Sequence, residues 1–163
     1  MDVSITMDTI LTSIAVLTSA LTLYIQRRHN KISVMPLLTV SYVKTDKEFK
    51  LILKNSGLGT AIIKKIQYEN ELNDKYDNLI DMLNKENRIS WRCDTLYSEI
   101  ANFNSDIILK MGDGIGILYY ADAEAAGVEE VSQAFGDKDI KMKIKYESLY
   151  KEEKELYCSL NCR

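Results

Sequence analysis

Histidine, cysteine and metal-ligand pairs are scarce in this chain, and each scarcity excludes a class of site. The only histidine is His29, so catalysis by a nucleophile paired with histidine has no partner elsewhere in the 163 residues. Three cysteines, Cys93, Cys158 and Cys162, form no CxxC pair, which excludes a zinc site and a disulfide framework but leaves a Cys158–Cys162 link open. We therefore predict no enzyme activity, no metal and no cofactor.

The net charge is weakly negative and unevenly distributed. Residues 1–31 carry +1 and residues 32–163 carry −4, which together give −3. Because nucleic-acid binding needs clustered positive charge, an acidic body excludes a general binder of duplex nucleic acid. A composition of 46% hydrophobic and 28% charged residues predicts one compact domain with a small attachment.

One long uncharged run lies near the start of the chain. Thr9 to Gln26 gives 18 uncharged residues, and a helix of this length extends about 27 Å, close to a hydrocarbon core of about 30 Å. Because six of these residues are Thr or Ser, a core or amphipathic helix is the alternative. We predict a transmembrane segment in residues 1–31, with the span at 9–26, and a second domain at 32–163.

The charges that flank the run predict its orientation. Arg27, Arg28 and Lys31 follow it, whereas Asp2 and Asp8 precede it. Lys and Arg flanks stay in the cytoplasm, and a cleaved signal peptide would carry its positive charge before the run. We predict a single-pass protein of the bacterial inner membrane, with its N-terminus outside and residues after Lys31 in the cytoplasm.

Small and polar residues recur along one face of the predicted span. They are Thr12, Ala15, Ser19 and Thr22, which follow a heptad spacing. Such a seam lets membrane helices approach closely and share hydrogen bonds, which predicts oligomerisation through the span. The alternative is that the hydroxyl groups bond to carbonyl groups of their own helix.

After Pro36 the hydrophobic period changes from helical to alternating. Strands are predicted at 37–44, 48–54, 61–68, 106–111, 115–121, 139–147 and 154–160. Phe49, Leu51 and Leu53 share one face of the second strand. In the sixth, the inward residues are Ile140, Met142, Ile144 and Tyr146, and the outward ones are Lys141, Lys143 and Lys145. The glycine-containing loop 55–61 is either a tight turn or a close approach to a ligand.

Helical spacing returns in two places between the strands. The segment 73–87 reads as a helix capped by Asn73 or Asp74, and a short helix is possible at 128–135. The fold class that follows is mainly β (α+β), with one N-terminal transmembrane helix and then an antiparallel β-sandwich or barrel-like domain with one helical insertion.

A cluster after the predicted helix suits ligand recognition. Arg88, Trp91 and Arg92 stand close together, and Trp91 is the only tryptophan. A base can stack on an indole while guanidinium groups hold phosphates, and Lys64 and Lys65 are candidates to extend the site. The alternative is that Trp91 is a core residue and that both arginines pair with Glu86 and Asp94.

The layout of the chain resembles a known class. One span, "RRHNK", a proline and strands divided by "KNSGLGTAIIKK" are similar to small bacterial inner-membrane proteins with a cytoplasmic β-rich domain. Within that class the chain resembles the membrane-anchored accessory effectors of type III CRISPR systems. The resemblance implies an antiviral effector that binds cyclic tetra-adenylate, a cyclic oligoadenylate, and disrupts the membrane.

Two functions therefore stay open at this point. In the first, a cyclic nucleotide bridges the domains of a symmetric homo-oligomer, a tetramer for a four-nucleotide ring, and rearranges the spans. In the second, the chain is a membrane-anchored protein-interaction module that uses a sandwich edge or the Gly57–Gly59 loop. Exposure of Trp91 beside the arginines would favour the first function, and its burial the second.

Overall fold

The computed structural model describes residues 3–86, 98, 100, 105–121, 125–136 and 140–160. The chain divides into two compact units, Met1–Met35 and Pro36–Arg163. The helices are α1 (Val3–Ser33), α2 (Leu79–Lys85) and α3 (Ala125–Gly136). The strands are β1 (Leu38–Lys44), β2 (Glu48–Asn55), β3 (Ala61–Glu69), β4 (Lys75–Tyr76), β5 (Ile107–Leu109), β6 (Gly114–Ala121), β7 (Lys141–Ser148) and β8 (Glu153–Ser159).

The first unit is the single helix α1, which is longer than the predicted span at both ends. Its 31 residues extend about 46 Å at 1.5 Å per residue. It ends at Ser33, three residues before the only proline. A proline disfavours helical backbone in the residue before it and has no N–H to continue the helical bonding, so the helix ends ahead of Pro36.

The second unit contains two antiparallel sheets. One has the order β1-β2-β6, and the other has β4-β3-β7-β8, with β5 also paired to β3. The predicted fold class is confirmed: an apolar N-terminal helix precedes a mainly β, antiparallel domain. The described strands follow the predicted ones to within a few residues, and β4 is an additional two-residue strand.

The alternation predicted for the strands is confirmed by burial. Phe49, Leu51 and Leu53 are buried on β2, as are Met142 and Ile144 on β7, while Lys141 and Lys145 are exposed. The buried residues of both sheets, of α2 and of α3 form one cluster. Phe135 of α3 stacks on Phe49 with ring centroids 5.5 Å apart. All residues of this core belong to the second unit.

The helix predicted at 73–87 is wrong in its first part. Asn73 has a positive φ of 63°, and Asn78 caps α2 by accepting a hydrogen bond from the Ile80 amide at 2.9 Å. The reason is local: the buried Asn70 side chain accepts bonds from two amides of the following turn, and β4 then pairs with β3. The β-rich unit contains two helices, α2 and α3, rather than one helical insertion. The second, α3, is longer than the short helix considered at 128–135.

The strand order brings four segments to one end of the sandwich, which we call the linker end. They are residues 36–37, 56–60, 110–113 and 149–152. Leu38 pairs with Asn55, and Lys54 with Gly114, so three of these segments meet at the same end of the first sheet. Ala61 pairs with both Leu109 and Ser148, which brings the fourth to the same place. The loop 70–74 lies at the opposite end, beyond Glu69.

Candidate functional site

The surface of α1 is apolar and uncovered. Residues Met7–Ser33 are long and apolar enough to cross a membrane, and 0% of the most apolar window is buried. Leu11, Leu17, Leu21 and Tyr24 are each at least 59% exposed. Side chains of this kind are mostly buried in a core helix of a soluble domain, whereas those of α1 are exposed.

The hydroxyl groups of the predicted seam are already used within α1. Thr12 donates to the Asp8 carbonyl at 2.7 Å, Ser19 to that of Ala15 at 2.8 Å, and Thr22 to that of Thr18 at 2.8 Å. These bonds match the alternative in which the Ser and Thr hydroxyl groups bond to carbonyl groups of their own helix. Association of helices along the seam stays a prediction. Because the hydroxyl groups already bond within α1, such association would depend on close packing of the small residues.

Asn55 is a fully buried polar side chain whose four hydrogen bonds all join backbone groups. Its Oδ1 accepts from the amides of Leu37 at 3.2 Å and Gly57 at 3.1 Å. Its Nδ2 donates to the carbonyls of Gly59 at 2.6 Å and Leu109 at 3.0 Å. The side chain is 0% exposed. All four of its hydrogen-bonding positions are therefore occupied by backbone groups from three segments.

These bonds assign a structural role to the stretch "NSGLG". Gly57 and Gly59 are held by Asn55, and the Ser56 amide donates to the Leu37 carbonyl at 2.8 Å. The loop therefore fastens the first residues of the β-rich unit. Sequence reasoning missed this role of Asn55; an asparagine directly before a glycine loop at a strand end was the available signal.

Lys64 and Lys65 are adjacent, yet both point to solvent because of a β-bulge. The register between β3 and β7 shifts between Ile63 and Lys65, so Lys64 has no cross-strand partner and the inward alternation resumes at Ile66. Both lysines are neutralised by carboxylates. Lys64 Nζ lies 2.5 Å from Asp106 and 3.5 Å from Glu147, and Lys65 Nζ lies 3.4 Å from Asp77. Their part in a ligand site stays a prediction.

The solvent face of β7 carries the predicted row of lysines, and β8 supplies the opposite charge. Glu155 lies 2.8 Å from Lys143 Nζ and 3.5 Å from Lys145 Nζ. Hydrogen bonds from Lys143 and from the Tyr157 hydroxyl lower the pKa of Glu155 to about 2. The strand β7 lies between β3 and β8, so this row is on the face of an interior strand. The face is therefore charged, but Glu155 of β8 balances lysines of β7.

The arginine and tryptophan cluster begins shortly after α2. Arg88, Trp91 and Arg92 lie outside the described residues, so their role stays a prediction. The described residues at the end of α2, just before this cluster in the sequence, help to line a cleft of about 320 Å³. It is lined by Asn70, Glu71, Leu72, Asp74, Tyr76, Lys85 and Glu86. Three carboxylates against one lysine make this part of the surface acidic, so phosphate binding would depend on the arginines alone.

A second cleft opens between the two sheets, where β1 and β8 face each other. Its volume is about 310 Å³. It is lined by Leu38, Thr39, Val40, Tyr42, Leu51, Leu156, Cys158, Ser159 and Leu160. Among the described strands, β1 pairs only with β2 and β8 only with β7. The cleft is therefore an apolar opening flanked by two strands that are the outer strands of their sheets among the described residues.

Cys158 lines this cleft and has no disulfide partner among the described residues. Burial raises its pKa to about 11, so the thiol is protonated at neutral pH. It contributes to the cleft as a small apolar group. Cys162 lies outside the described residues.

Comparison with known proteins gives one finding. A family model described as Domain of unknown function (DUF8453) matches residues 3–161, which include both α1 and the β-rich unit. No curated protein and no solved structure matches the chain. The family model therefore covers the apolar helix together with nearly all of the β-rich unit.

Proposed function

This chain belongs to the DUF8453 family, and we propose that it is a single-pass protein of the bacterial inner membrane. In this proposal α1 crosses the bilayer with its N-terminus outside, and the β-rich unit lies in the cytoplasm. The observation that carries the proposal is the apolar surface of α1, none of which is buried over its most apolar window. The orientation follows from Arg27, Arg28 and Lys31, because basic flanks remain in the cytoplasm.

The task of the β-rich unit in this proposal is to hold a partner protein at the inner face of the membrane. As an outer strand among the described ones, β1 offers an edge to an extended segment, and the cleft beside it offers apolar contacts. An added strand gains affinity from main-chain hydrogen bonds and specificity from alternate side chains. The partner class is therefore a protein with an extended segment whose alternate residues are apolar.

Two features of β1 support docking at its edge. The strand is seven residues long, and Tyr42 and Val43 are 46% and 44% exposed. Free edges of this length are usually protected by charges, prolines or bulges. On β1 the only charge is Lys44, and it forms an ion pair of 2.7 Å with Glu129 of α3. The middle of the edge therefore carries no charge that would oppose an incoming strand.

A photo-crosslinker tests this edge in cells. With benzoylphenylalanine in place of Tyr42, we expect a discrete adduct with a partner protein. The matched control replaces Tyr157, which is also exposed but lies on the charged outer face of β8. We expect at least about fivefold less adduct there, and loss of the Tyr42 adduct when Val43→Lys adds a charge to the edge. Equal adducts at both positions, or none at Tyr42, would show that β1 is not a docking edge.

A second candidate is an antiviral sensor of cyclic oligoadenylate. It is supported by the Arg88, Trp91 and Arg92 cluster that follows α2 in the sequence, whereas the described cleft of about 320 Å³ at the end of α2 is acidic and does not itself favour phosphate. In this candidate the tryptophan stacks an adenine, the two arginines hold phosphates, and a homo-oligomer with the symmetry of the ring rearranges its membrane helices.

Titration of the chain with cyclic tri-, tetra- and hexa-adenylate tests the second candidate. Trp91→Ala and Arg92→Glu should each weaken affinity at least about tenfold, because stacking is lost in one and attraction becomes repulsion in the other. The control is Lys47→Glu, in the exposed turn between β1 and β2. If no ring binds below about 10 μM, which corresponds to about −7 kcal/mol, the sensor is ruled out and the interaction module stands alone.

A further inference from the structure

The linker end of the sandwich carries a group of exposed apolar side chains. Leu37, Leu58, Met111, Leu149 and Tyr150 each leave 52–67% of their surface exposed. They come from all four segments that meet at this end, and the last four lie at loop or turn positions. Single exposed apolar residues need no explanation, but a group gathered at one end of a domain marks a surface that contacts something.

These loops are held in place by hydrogen bonds that involve Asn55 and Ser148. Asn55 holds Leu37 and the glycine loop, and the Gly112 amide donates to the Asn55 carbonyl at 2.9 Å. In the last turn, the Lys151 amide donates to the Ser148 carbonyl at 2.9 Å, and the Tyr150 amide donates to the Ser148 hydroxyl at 3.3 Å. Hydrogen bonds therefore hold the loops that carry the exposed apolar side chains.

The charge of the linker end is balanced. Lys110 and Lys151 are its positive residues, and Asp113 and Glu152 are its negative ones, within the four segments. The loop 70–74 at the opposite end carries Glu71 and Asp74 with no positive residue. A surface with exposed leucines, a tyrosine and no net charge suits the boundary between lipid headgroups and acyl chains, where tyrosine is enriched.

The length of α1 and of the short linker after it favours a lipid bilayer as the partner of the linker end. A helix of 31 residues extends about 46 Å, which matches a bilayer of about 40–45 Å including its headgroups. If α1 crosses, Ser33 reaches the headgroup level. Only Val34, Met35 and Pro36 separate Ser33 from Leu37, and four residue steps reach at most about 14 Å. Leu37 is therefore tethered near the membrane surface.

We propose that the linker end of the sandwich binds the lipid bilayer surface, with Leu37, Leu58, Met111, Leu149 and Tyr150 inserted at the level of the headgroups. This inference rests on the proposed membrane anchor. It adds a second membrane contact, which fixes the orientation of the sandwich and directs the opposite end into the cytoplasm. Because the linker end has no net charge, zwitterionic lipid is sufficient for binding.

Fluorescent probes on the full-length chain test this contact in vesicles. In a background with Cys93, Cys158 and Cys162 replaced by serine, single Leu58→Cys and Leu149→Cys variants carry an NBD probe. The vesicles are phosphatidylcholine, with nitroxide on the headgroup. We expect headgroup nitroxide to quench these two probes at least about twofold more than a probe at Leu72→Cys, which is 81% exposed in the loop at the opposite end.

A fourth probe separates failure of this inference from failure of the anchor. With nitroxide deep in the acyl chains, an NBD probe at Leu17→Cys should be quenched whenever α1 crosses the bilayer. Quenching at Leu17 with equal quenching at Leu58, Leu149 and Leu72 overturns the surface contact and leaves the anchor intact. No quenching at Leu17 overturns the anchor. Blue-shifted emission at Leu58 without quenching would mean that protein covers this end, which also overturns the contact.

Discussion

Replacing Asn55 by leucine is expected to remove about 3–5 kcal/mol from the free energy of unfolding of the β-rich unit. The side chain is fully buried and makes four hydrogen bonds to backbone groups. Leucine has a similar volume but can neither accept from the Leu37 and Gly57 amides nor donate to the Gly59 and Leu109 carbonyls. Each group left without a partner costs about 1–3 kcal/mol, less where water can reach it after relaxation.

Urea unfolding of a fragment that begins at Pro36 measures this effect, since the whole core lies in that unit. The matched control is Ser56→Ala in the same loop, which removes only one exposed hydroxyl bond, to Thr39, and should change the unfolding free energy by no more than about 1 kcal/mol. A loss below about 1 kcal/mol for Asn55→Leu would mean that these four bonds do not hold the linker end together.

The variant Asn55→Asp should make the stability of the β-rich unit depend on pH. An aspartate here would place an oxygen where Nδ2 now faces two carbonyls, at 2.6 and 3.0 Å. Burial and carbonyl repulsion disfavour the ionised form, so its folded pKa should rise above the unfolded value of about 3.9. A raised folded pKa means that stability falls as pH rises through that range, so this variant should be more stable near pH 4 than at pH 7, relative to the wild type.

Placing an aspartate at Leu17 is expected to remove the chain from the membrane. Leu17 lies near the middle of α1 and is 69% exposed. On insertion scales the change from leucine to aspartate at a helix centre costs about 3–4 kcal/mol, which is a factor of several hundred in partitioning. The six Thr and Ser residues of the run already weaken insertion, so little apolar surplus remains to offset the charge.

Alkaline extraction of membranes measures this second effect. We expect the wild-type chain in the pellet and Leu17→Asp mostly in the supernatant. The control is Leu72→Asp, the same substitution at the exposed 70–74 loop, which should remain in the pellet. Equal retention of Leu17→Asp and the wild type would indicate that α1 is not held by the hydrocarbon core.

The sheets could be predicted from the sequence because their signal is local. Alternation on β2 and β7 reflects one buried and one solvated face, so Phe49, Leu51, Met142 and Ile144 were assigned to the core correctly. The apolar length of α1 was also visible, although the helix runs further than the uncharged residues because its last turns carry Arg27, Arg28 and Lys31 without breaking the helical backbone.

Features that depend on distant partners could not be predicted. The start of α2 was misplaced because Asn70 turns the chain and β4 pairs with β3, which no local spacing indicates. The bulge at Lys64 depends on the register with β7. Asn55 looked like an ordinary turn residue, and its role appears only when Leu37 and Leu109 are brought to it by the fold.

The candidate site was predictable only in part for the same reason. The lysines at 64 and 65 were assigned to a ligand from charge and neighbourhood, yet their carboxylate partners Asp106, Glu147 and Asp77 come from other parts of the chain. The cleft between β1 and β8 joins strands more than 100 residues apart, so it has no signature in the sequence. The exposed side chains of the linker end are likewise scattered along the chain.

Site-specific labelling in living cells tests the central claim, that α1 crosses the membrane and leaves the β-rich unit in the cytoplasm. In the cysteine-free background, Ser4→Cys marks the N-terminus and Leu72→Cys marks the sandwich. With a membrane-impermeant maleimide, we predict labelling at Ser4→Cys in intact cells and at Leu72→Cys only after permeabilisation. Labelling of Leu72→Cys in intact cells, or of neither position before permeabilisation, would contradict this topology.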